Sequence, residues 1–354
     1  MSRKTNMLDF EGQVFNIGID THKSNWKVTV RQNSMELKKF SMNPEPLELL
    51  SYMSKHYPGG RYRSVYEAGF SGYWIHRSLS ELGIDNIIIN PSDVPTTHKE
   101  KDRKSDGVDS AKLSRELENG SLTGIYIPTM EQESIRALAR LARQYSKRST
   151  QVKTRITSFL DVNGVRLAEG LQYSYWSKNH IKWISELEFK LPVNRYILDK
   201  HLQELQHIRG MRLELLRKVR ECSRNILTVR LLRSIPGIGL TVAFILYTEL
   251  MDIRRFESED PLASYIGLVP STASTNDKEH NKGMTQRHSR YLRYILIEAA
   301  WIAVRRDPAM TLAFSKLTKR MSKTRAIIRI AKKLLKRIRW VWLHQKEYVT
   351  AIVE

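Results

Sequence analysis

The chain has 354 residues, and its 59 lysines and arginines against 37 aspartates and glutamates give it a net charge of +22. That excess predicts a polyanionic partner, most often nucleic acid, while the longest strongly apolar run, 242–247, is too short to span a bilayer. A single cysteine, Cys222, excludes an internal disulfide and a cysteine-based zinc site. The chain opens without a charged-then-apolar leader, which predicts a cytoplasmic protein.

The first third of the chain alternates strand-like and helix-like patterns. The predicted strands are 14–20, 26–31, 36–42, 63–67 and 86–90. The predicted helices are 45–57, 72–83 and 107–119, the last with Asp106 as its N-cap. Three early strands followed by strand–helix alternation are typical of an α/β domain around a mixed sheet.

Four acidic residues stand out in this region. Asp20 and Glu67 each end a strand-like run, and Asp106 and Asp109 lie three residues apart, on one face of a helix. Sites in α/β sheets are built where strands end, so these carboxylates are expected to converge. Converging carboxylates repel one another unless cations lie between them, and hard oxygen ligands suit Mg²⁺ or Mn²⁺. The four residues therefore predict metal-dependent phosphoryl transfer, with Asp102 as a substitute ligand.

Residues 131 to about 230 predict long helices. Apolar residues recur near heptad spacing in two stretches, and the less regular segment 163–192 separates them. This periodicity is typical of a coiled coil or an antiparallel helical pair. A plain bundle inside one subunit and an oligomerisation arm are both compatible with it.

Two motifs lie in the C-terminal region. Residues 231–246 look like a helix-hairpin-helix element, in which Gly237 and Gly239 let the backbone turn tightly and approach a phosphate. A tight turn without a ligand is the alternative. Residues 265–278, which lead through 282–285 to the segment 289–293, contain a predicted loop rich in hydroxyl side chains, ahead of a basic helix. Such a cluster can hold a nucleophile, although turn formation and capping explain it as well.

The end of the chain is one-sided in charge. Between Pro308 and Gln345 there are eleven lysines and arginines and no acid, on an amphipathic helical pattern. This pattern favours contact with phosphates over a merely solvated face. The candidate contacts are Arg290, Arg293, Arg325, Arg329, Lys332, Lys333, Lys336 and Arg337.

Several short motifs follow one another along the chain. The first part has Gly18-Ile19-Asp20, Tyr66-Glu67-Ala68-Gly69 and Lys104-Ser105-Asp106, with Asp109 after them. The last part has the segments 234–239, 265–270 and 290–293. In this order and spacing, nearly the whole chain resembles the insertion-sequence transposases that join an N-terminal RuvC-like DEDD domain to a C-terminal serine domain. These are the bridge-RNA-guided recombinases.

The resemblance implies an RNase-H-like domain over 1–128, a helical coiled-coil region over 129–229 and a mostly helical C-terminal transposase domain over 230–354. It implies that Asp20, Glu67, Asp106 and Asp109 hold Mg²⁺. It also implies that a serine hydroxyl attacks DNA and becomes covalently attached to it. The implied partners are donor and target DNA, a guide (bridge) RNA and further copies of the chain, as a dimer or tetramer.

The sequence departs from the family at the nucleophile. Members usually have Ser-Gly after Gly-Leu-x-Pro, and an ungapped count places Thr275-Asn276 there, with Ser274 one residue earlier. Either hydroxyl could react, or this copy could be impaired.

Two other functions fit part of the pattern. A structure-selective nuclease or junction resolvase would use the same carboxylates without a hydroxyl nucleophile or a guide RNA. A non-enzymatic nucleic-acid-binding protein would account for the charge but leave the ordered carboxylates unexplained.

Overall fold

A computed structural model of the chain describes residues 9–95, 106–168, 176–275, 278–284 and 289–350. At 106–108, 270–275 and 278–284 it describes the backbone alone. The chain divides into two compact units, Met1–Ile127 and Pro128–Glu354, called unit 1 and unit 2 below. Each unit has its own apolar core.

Unit 1 is built on a five-stranded mixed sheet. Its strands are β1 (Val14–Thr21), β2 (Trp26–Gln32), β3 (Met35–Met42), β4 (Arg61–Glu67) and β5 (Asp85–Ile89). Their order across the sheet is β3-β2-β1-β4-β5. β1, β2 and β3 pair in antiparallel fashion, whereas β1, β4 and β5 pair in parallel. The predicted mixed α/β sheet is thereby confirmed, with strand ends within two residues of those predicted.

Helices cover both faces of this sheet. They are α1 (Pro46–His56), α2 (Trp74–Glu81) and α3 (Asp106–Glu118). Alternate residues of β1 (Phe15, Ile17 and Ile19) are fully buried in one core with residues of α1 and α2. On the other face, Val65 of β4 packs with Leu113 and Leu117 of α3. β1 is therefore buried on both sides, which explains its nearly continuous apolar sequence.

Unit 2 is mostly helical. Its helices are α4 (Met130–Val162), α5 (Lys178–Ser185), α6 (Pro192–Ser223), α7 (Leu227–Leu232), α8 (Leu240–Leu250), α9 (Glu259–Ile266), α10 (Arg290–Arg306), α11 (Pro308–Thr318) and α12 (Lys323–His344). A hairpin of β6 (Pro270–Thr275) and β7 (Lys278–Met284) lies between α9 and α10 in the sequence. In the described part of the chain, no helix has both the length and the apolar character that crossing a membrane requires.

The long helices α4 and α6 pack against each other within one chain. Val152 and Ile156 of α4 share a core with Leu198 and Leu205 of α6. The side chain of Asn194, near the start of α6, donates a 2.7 Å hydrogen bond to Asn163, just after α4 ends. The start of one helix therefore lies beside the end of the other, as in an antiparallel pair.

A largely buried glutamate ties α4 to α8. Glu249 accepts hydrogen bonds from Arg136 at 3.1 Å and from Arg140 at 2.8 and 3.0 Å. Burial alone would raise the pKa of Glu249, but the two guanidinium groups outweigh burial and hold it below its usual value. The first part of α4 is thereby held on the core of unit 2.

Candidate active site and nucleic-acid interface

Asp20 and Glu67 lie at the ends of neighbouring parallel strands. The register pairs Ile19 of β1 with Tyr66 of β4, so the two acidic residues occupy the next positions on strands spaced about 4.8 Å apart. Because side chains alternate along a strand, Asp20 shares the face of Gly18, and Glu67 shares the face of Val65. Val65 packs with α3, so both acidic residues belong to the face that α3 covers.

Helix α3 is seated directly on β1 at Gly18. A Cβ atom at Gly18 would lie 2.0 Å from the carbonyl oxygen of Ser110 and 2.5 Å from the amide nitrogen of Ser114. Beside this contact, the hydroxyl groups of Ser110 and Thr29 form a buried 2.9 Å hydrogen bond. Asp109 precedes Ser110, so its backbone is fixed close to β1, the strand that contains Asp20.

The far end of α3 is fixed as well. Arg31 of β2 donates a 2.7 Å hydrogen bond to Glu118, and the backbone amide of Ser34 donates to the same carboxylate at 3.0 Å. With contacts at both ends, α3 has a defined position on the sheet. The helix begins at Asp106 itself, one residue earlier than predicted.

Asp20 has a close histidine neighbour. The Nε2 atom of His22 lies 3.1 Å from Oδ2 of Asp20, with both side chains partly exposed. Among the described side chains, a set that leaves out Asp106, no group of three or more histidine, cysteine, aspartate or glutamate residues could hold a metal ion. Asp102 lies outside the described residues. The four-carboxylate metal site therefore stays a prediction. No role was predicted for His22 from the sequence. Its position two residues after Asp20 was the signal that could have indicated this contact.

The segment after Glu67 is held by the strand that leads into it. The hydroxyl of Tyr66, itself fully buried, donates a 3.0 Å hydrogen bond to the carbonyl of Gly72 and accepts one from the amide of His76 at 3.2 Å. The amide of Ala68 donates to the carbonyl of Ile89 at 2.7 Å. These bonds fix the backbone on either side of the exposed Phe70.

The candidate nucleophiles lie on a strand rather than in a loop. Ser274 and Thr275 end β6, and the register pairs them with Glu279 and Lys278 of β7. The prediction of a hydroxyl-rich loop was therefore wrong about the backbone, because β6 and β7 satisfy each other's backbone hydrogen bonds. The side chains of Ser274 and Thr275 lie outside the described residues.

The turn between α7 and α8 uses its two glycines differently. Gly237 has a φ of 93°, and a Cβ there would lie 2.4 Å from the carbonyl oxygen of Ala299 in α10. This glycine therefore permits close packing between helices. Gly239 is the N-cap of α8 and makes no side-chain capping bond, and a Cβ there would have no neighbouring atom within 4 Å.

The candidate arginines of α10 lie where a cation is electrostatically disfavoured. Arg290 and Arg293 are in the first turn of the helix, which contains no acidic residue. The positive end of the helix dipole repels both guanidinium groups, and this repulsion is relieved when an anion binds there.

The basic side chains of α12 fall into two groups. Lys332 and Lys336 form 3.0 Å ion pairs with Asp260 and Glu259, and Arg337 pairs with the buried Asp307. In contrast, the exposed residues Arg325, Arg329 and Lys333 form no ion pair within the described parts of the chain.

Comparison with known proteins matches two parts of the chain to transposase families. Residues 17–163 match a transposase family model of the DEDD IS110 type, and residues 229–315 match the model described as the transposase IS116/IS110/IS902 family. The chain belongs to the IS110/IS116 transposases.

Individual transposases align over most of the chain. A Sinorhizobium fredii protein named as a transposase, y4qE, is 31% identical over 240 residues, which are 67% of this chain and 57% of that protein. The transposase of insertion sequence element IS1111A from Coxiella burnetii is 26% identical, over 75% of this chain and 73% of its own. The transposase of element IS1533 from Leptospira borgpetersenii is 25% identical, over 80% and 84% respectively.

The matched ranges of this IS110/IS116 transposase divide its candidate residues. The DEDD-type match includes Asp20, Glu67, Asp106 and Asp109. The second match includes the α7–α8 turn, both candidate hydroxyl residues and the arginines at the start of α10. The basic helix α12 lies beyond both matches.

Proposed function

We propose that this chain catalyses the strand cleavage and strand exchange that move an insertion sequence, in a reaction that requires Mg²⁺ or Mn²⁺. The observation that carries the proposal is the placement of Asp20 and Glu67 on adjacent parallel strands, beneath the helix that contains Asp109. Family membership supplies the class of reaction.

The carboxylate oxygens in this arrangement fit a hard divalent cation. Asp20, Glu67, Asp106 and Asp109 would hold it, and when bound it would stabilise negative charge on a phosphodiester oxygen. Two other residues of the chain have further tasks. His22 orients the Asp20 carboxylate through their 3.1 Å contact, and Gly18 allows α3 to bring Asp109 down to the sheet.

The nucleophile in this proposal is the hydroxyl group of Ser274 or Thr275. Its oxygen would bond to phosphorus and lose its proton, while the bond from phosphorus to one sugar oxygen breaks and that oxygen leaves as a hydroxyl group. The phosphodiester becomes a protein–DNA ester, which a second DNA hydroxyl group reverses in strand exchange. The number of phosphate esters is unchanged, so no external energy source is required.

The proposed partners follow from the family resemblance and the charge. They are donor DNA, target DNA, a guide RNA and further copies of the chain. In this proposal the α7–α8 turn acts as a helix-hairpin-helix element, the exposed cations of α12 contact phosphates, and the α4–α6 pair is a coiled-coil arm for assembly. The proposal places the protein in the cytoplasm, where its DNA is.

The metal site is tested by removing charge without changing shape. Asp20→Asn and Asp109→Asn should each reduce strand exchange by at least about 100-fold, since even residues that only support metal ligands cost 10–100-fold when mutated. Asp85→Asn is the matched control, because Asp85 begins β5 at the opposite edge of the sheet and its side chain is half exposed. Normal strand exchange by folded Asp20→Asn protein would refute the assignment.

The nucleophile is tested by trapping the protein–DNA ester on denaturing gels and mapping the attached peptide. Ser274→Ala and Thr275→Ala are made separately, and the variant that loses the adduct identifies the reacting residue. If Thr275 reacts, Thr275→Ser should accelerate adduct formation because the extra methyl group of threonine crowds the attack. Adduct from the double alanine variant would place the nucleophile elsewhere, and metal-dependent nicking without adduct would favour a nuclease.

A further inference from the structure

A concave site lined by four arginines lies where α6, α7 and α8 meet. Its volume is about 360 Å³. Arg220 and Arg224 reach it from the last turn and C-cap of α6, and Arg230 and Arg233 reach it from the end and C-cap of α7. Ser223, Val229 and Leu240 complete the lining, and none of the described residues that line it is acidic. We call this feature the arginine cavity.

The charges of the arginine cavity are not balanced within the described chain. None of the four guanidinium groups forms an ion pair with a described residue, and all four residues are exposed. Other arginines of unit 2 do have such partners, since Arg155 pairs with Glu204 and Arg254 with Asp252. Four like charges around one concavity repel one another, and the concave shape concentrates their field. An anion in the cavity would relieve that repulsion.

Helix dipoles explain only part of this arrangement. Cations are favoured at the C-terminal ends of helices, which suits Arg220 and Arg224 at the end of α6. The same cavity also includes Leu240, the first residue of α8, so a helix N-terminus contributes further positive potential. That N-terminus has no side-chain cap. If the arginines only capped the end of α6, the N-terminus of α8 would not need to lie beside them.

The geometry also moves the expected ligand contact away from Gly237. The side of that glycine on which a Cβ would lie is packed against the backbone of α10, so a ligand cannot approach it from that side. Leu240, by contrast, begins α8 and lines the cavity with the four arginines, and Gly239 before it has space for a Cβ. The ligand-facing side of the α7–α8 turn is therefore the side that carries the arginine cavity.

We propose that the arginine cavity binds the phosphodiester backbone of a nucleic acid, with Arg220, Arg224, Arg230 and Arg233 contacting successive phosphates. This inference rests on the proposed function, which supplies the nucleic acid, and adds where on unit 2 it is held. Arginine forks match phosphate oxygens in paired hydrogen bonds. The cavity volume falls within the range of about 300–1,000 Å³ that is usual for ligand sites. Contacts to phosphates are independent of base sequence, so the cavity positions nucleic acid rather than reading it.

The test measures binding of the full chain to a random-sequence DNA duplex and to a single-stranded RNA of equal length, in EDTA and over a series of salt concentrations. EDTA removes any catalytic metal, so the result does not depend on strand exchange. The variants are R220Q/R224Q, R230Q/R233Q and their combination. Each lost phosphate contact should reduce the slope of log affinity against log salt by about 0.9 on duplex DNA or about 0.7 on single-stranded RNA. Each double variant removes two contacts, so its salt slope should fall by about 1.8 if the cavity holds duplex DNA, or by about 1.4 if it holds single-stranded RNA.

A control variant with the same change in net charge separates the cavity from general electrostatics. R155Q/K182Q/K200Q/R254Q removes four cations of unit 2, each of which already has a hydrogen-bond or ion-pair partner. Loss of slope on the duplex alone assigns the cavity to DNA, and loss on the RNA alone assigns it to RNA. Equal losses in the cavity and control variants, or none in either, would overturn the inference. If the cavity variants lose salt-dependent binding as expected but the unsubstituted protein shows no strand exchange, only the proposed function is contradicted.

Discussion

At the scale of single residues, Gly18 determines how closely α3 approaches the sheet. Both atoms that a Cβ would strike, the oxygen of Ser110 and the nitrogen of Ser114, belong to the helix backbone and cannot rotate away. Gly18→Ala should therefore displace α3, reduce the free energy of unfolding by about 1–3 kcal/mol, and reduce strand exchange because Asp109 moves with the helix. Urea unfolding and a strand-exchange assay measure the two effects.

Gly210 provides the matched control for this substitution. It lies inside α6, is exposed, and has no heavy atom within 4 Å of the position of an added Cβ. Gly210→Ala should stabilise the helix by about 0.5–1 kcal/mol, because alanine loses less conformational freedom there. Equal changes in the free energy of unfolding for Gly18→Ala and Gly210→Ala would show that Gly18 does not limit how closely α3 packs on the sheet.

Tyr348 reports on a buried polar cluster in unit 2. Its hydroxyl donates a 2.9 Å hydrogen bond to Asp307, which is 1% exposed and also pairs with Arg337. Burial and then this hydrogen bond raise the pKa of Tyr348 to about 12. Since unfolded tyrosine titrates near 10, the folded state binds the proton more tightly. The resulting stabilisation is complete below pH 10 and is lost as pH rises to about 12.

Tyr348→Phe should remove this pH dependence. The variant should be less stable at neutral pH by about 1–2 kcal/mol, since the Asp307 carboxylate loses one donor. Between pH 10 and 12 the stability of the natural chain should fall more steeply than that of the variant. Denaturant titrations at several pH values measure the difference, and parallel curves over that interval would contradict the assignment.

At the scale of elements, the sequence predicted well those segments whose pattern comes from burial. β1 and β4 are buried apolar runs, so the sequence located them to within two residues and placed Asp20 and Glu67 at their ends. The hairpin of β6 and β7 was missed because its residues (PSTAST and KEHNKGM) are polar and show no apolar alternation. Its strands are defined by pairing with each other, which no local pattern reveals.

Long-range polar contacts were equally hidden from the sequence. Glu249 and Arg140 are 109 residues apart, and Arg337 and Asp307 are 30 apart. A charge run alone could not show that Arg337 is used inside the fold while Arg325 on the same helix is exposed. The division of the basic face of α12 therefore needed the structure.

This division predicts unequal roles on α12. R325Q/R329Q/K333Q removes three exposed cations that lack ion pairs in the described chain, and should reduce the salt slope of duplex binding by up to about 2.7. K332Q/K336Q removes two cations already held by Asp260 and Glu259, and should change the slope by much less per charge removed. Anisotropy titrations at several salt concentrations compare them. Equal loss per charge would show that α12 acts only through the net charge.

At the scale of the whole molecule, two compact units with separate cores carry the two kinds of candidate chemistry. The candidate metal ligands belong to unit 1, whereas the candidate hydroxyl groups and the arginine cavity belong to unit 2. The three-part division at 128 and 229 stays a prediction; unit 2 spans its last two parts. Because chains with several units often unfold in more than one step, calorimetry is expected to resolve two transitions.

The transitions can be assigned by substitution. Gly18→Ala should lower the transition of unit 1 alone. Arg337→Met should lower the transition of unit 2 instead. It should reduce the free energy of unfolding of that unit by about 3–5 kcal/mol, because it leaves the buried Asp307 without its cationic partner. With the two transitions labelled in this way, ligand effects can be attributed to one unit.

Magnesium should then stabilise unit 1 and leave unit 2 unchanged. A ligand that binds only the folded state contributes about 2.7 kcal/mol at a concentration 100 times its Kd, so the unit 1 transition should rise with added Mg²⁺ and return to its original temperature in EDTA. Asp20→Asn should abolish the shift, since the amide lacks the charge that makes divalent binding favourable. Asp85→Asn should preserve it. A shift that persists in Asp20→Asn, or that appears in the unit 2 transition instead, would place the metal elsewhere. Because the measurement needs neither DNA nor catalysis, it tests the carboxylate site even if the nucleophile of this chain is impaired.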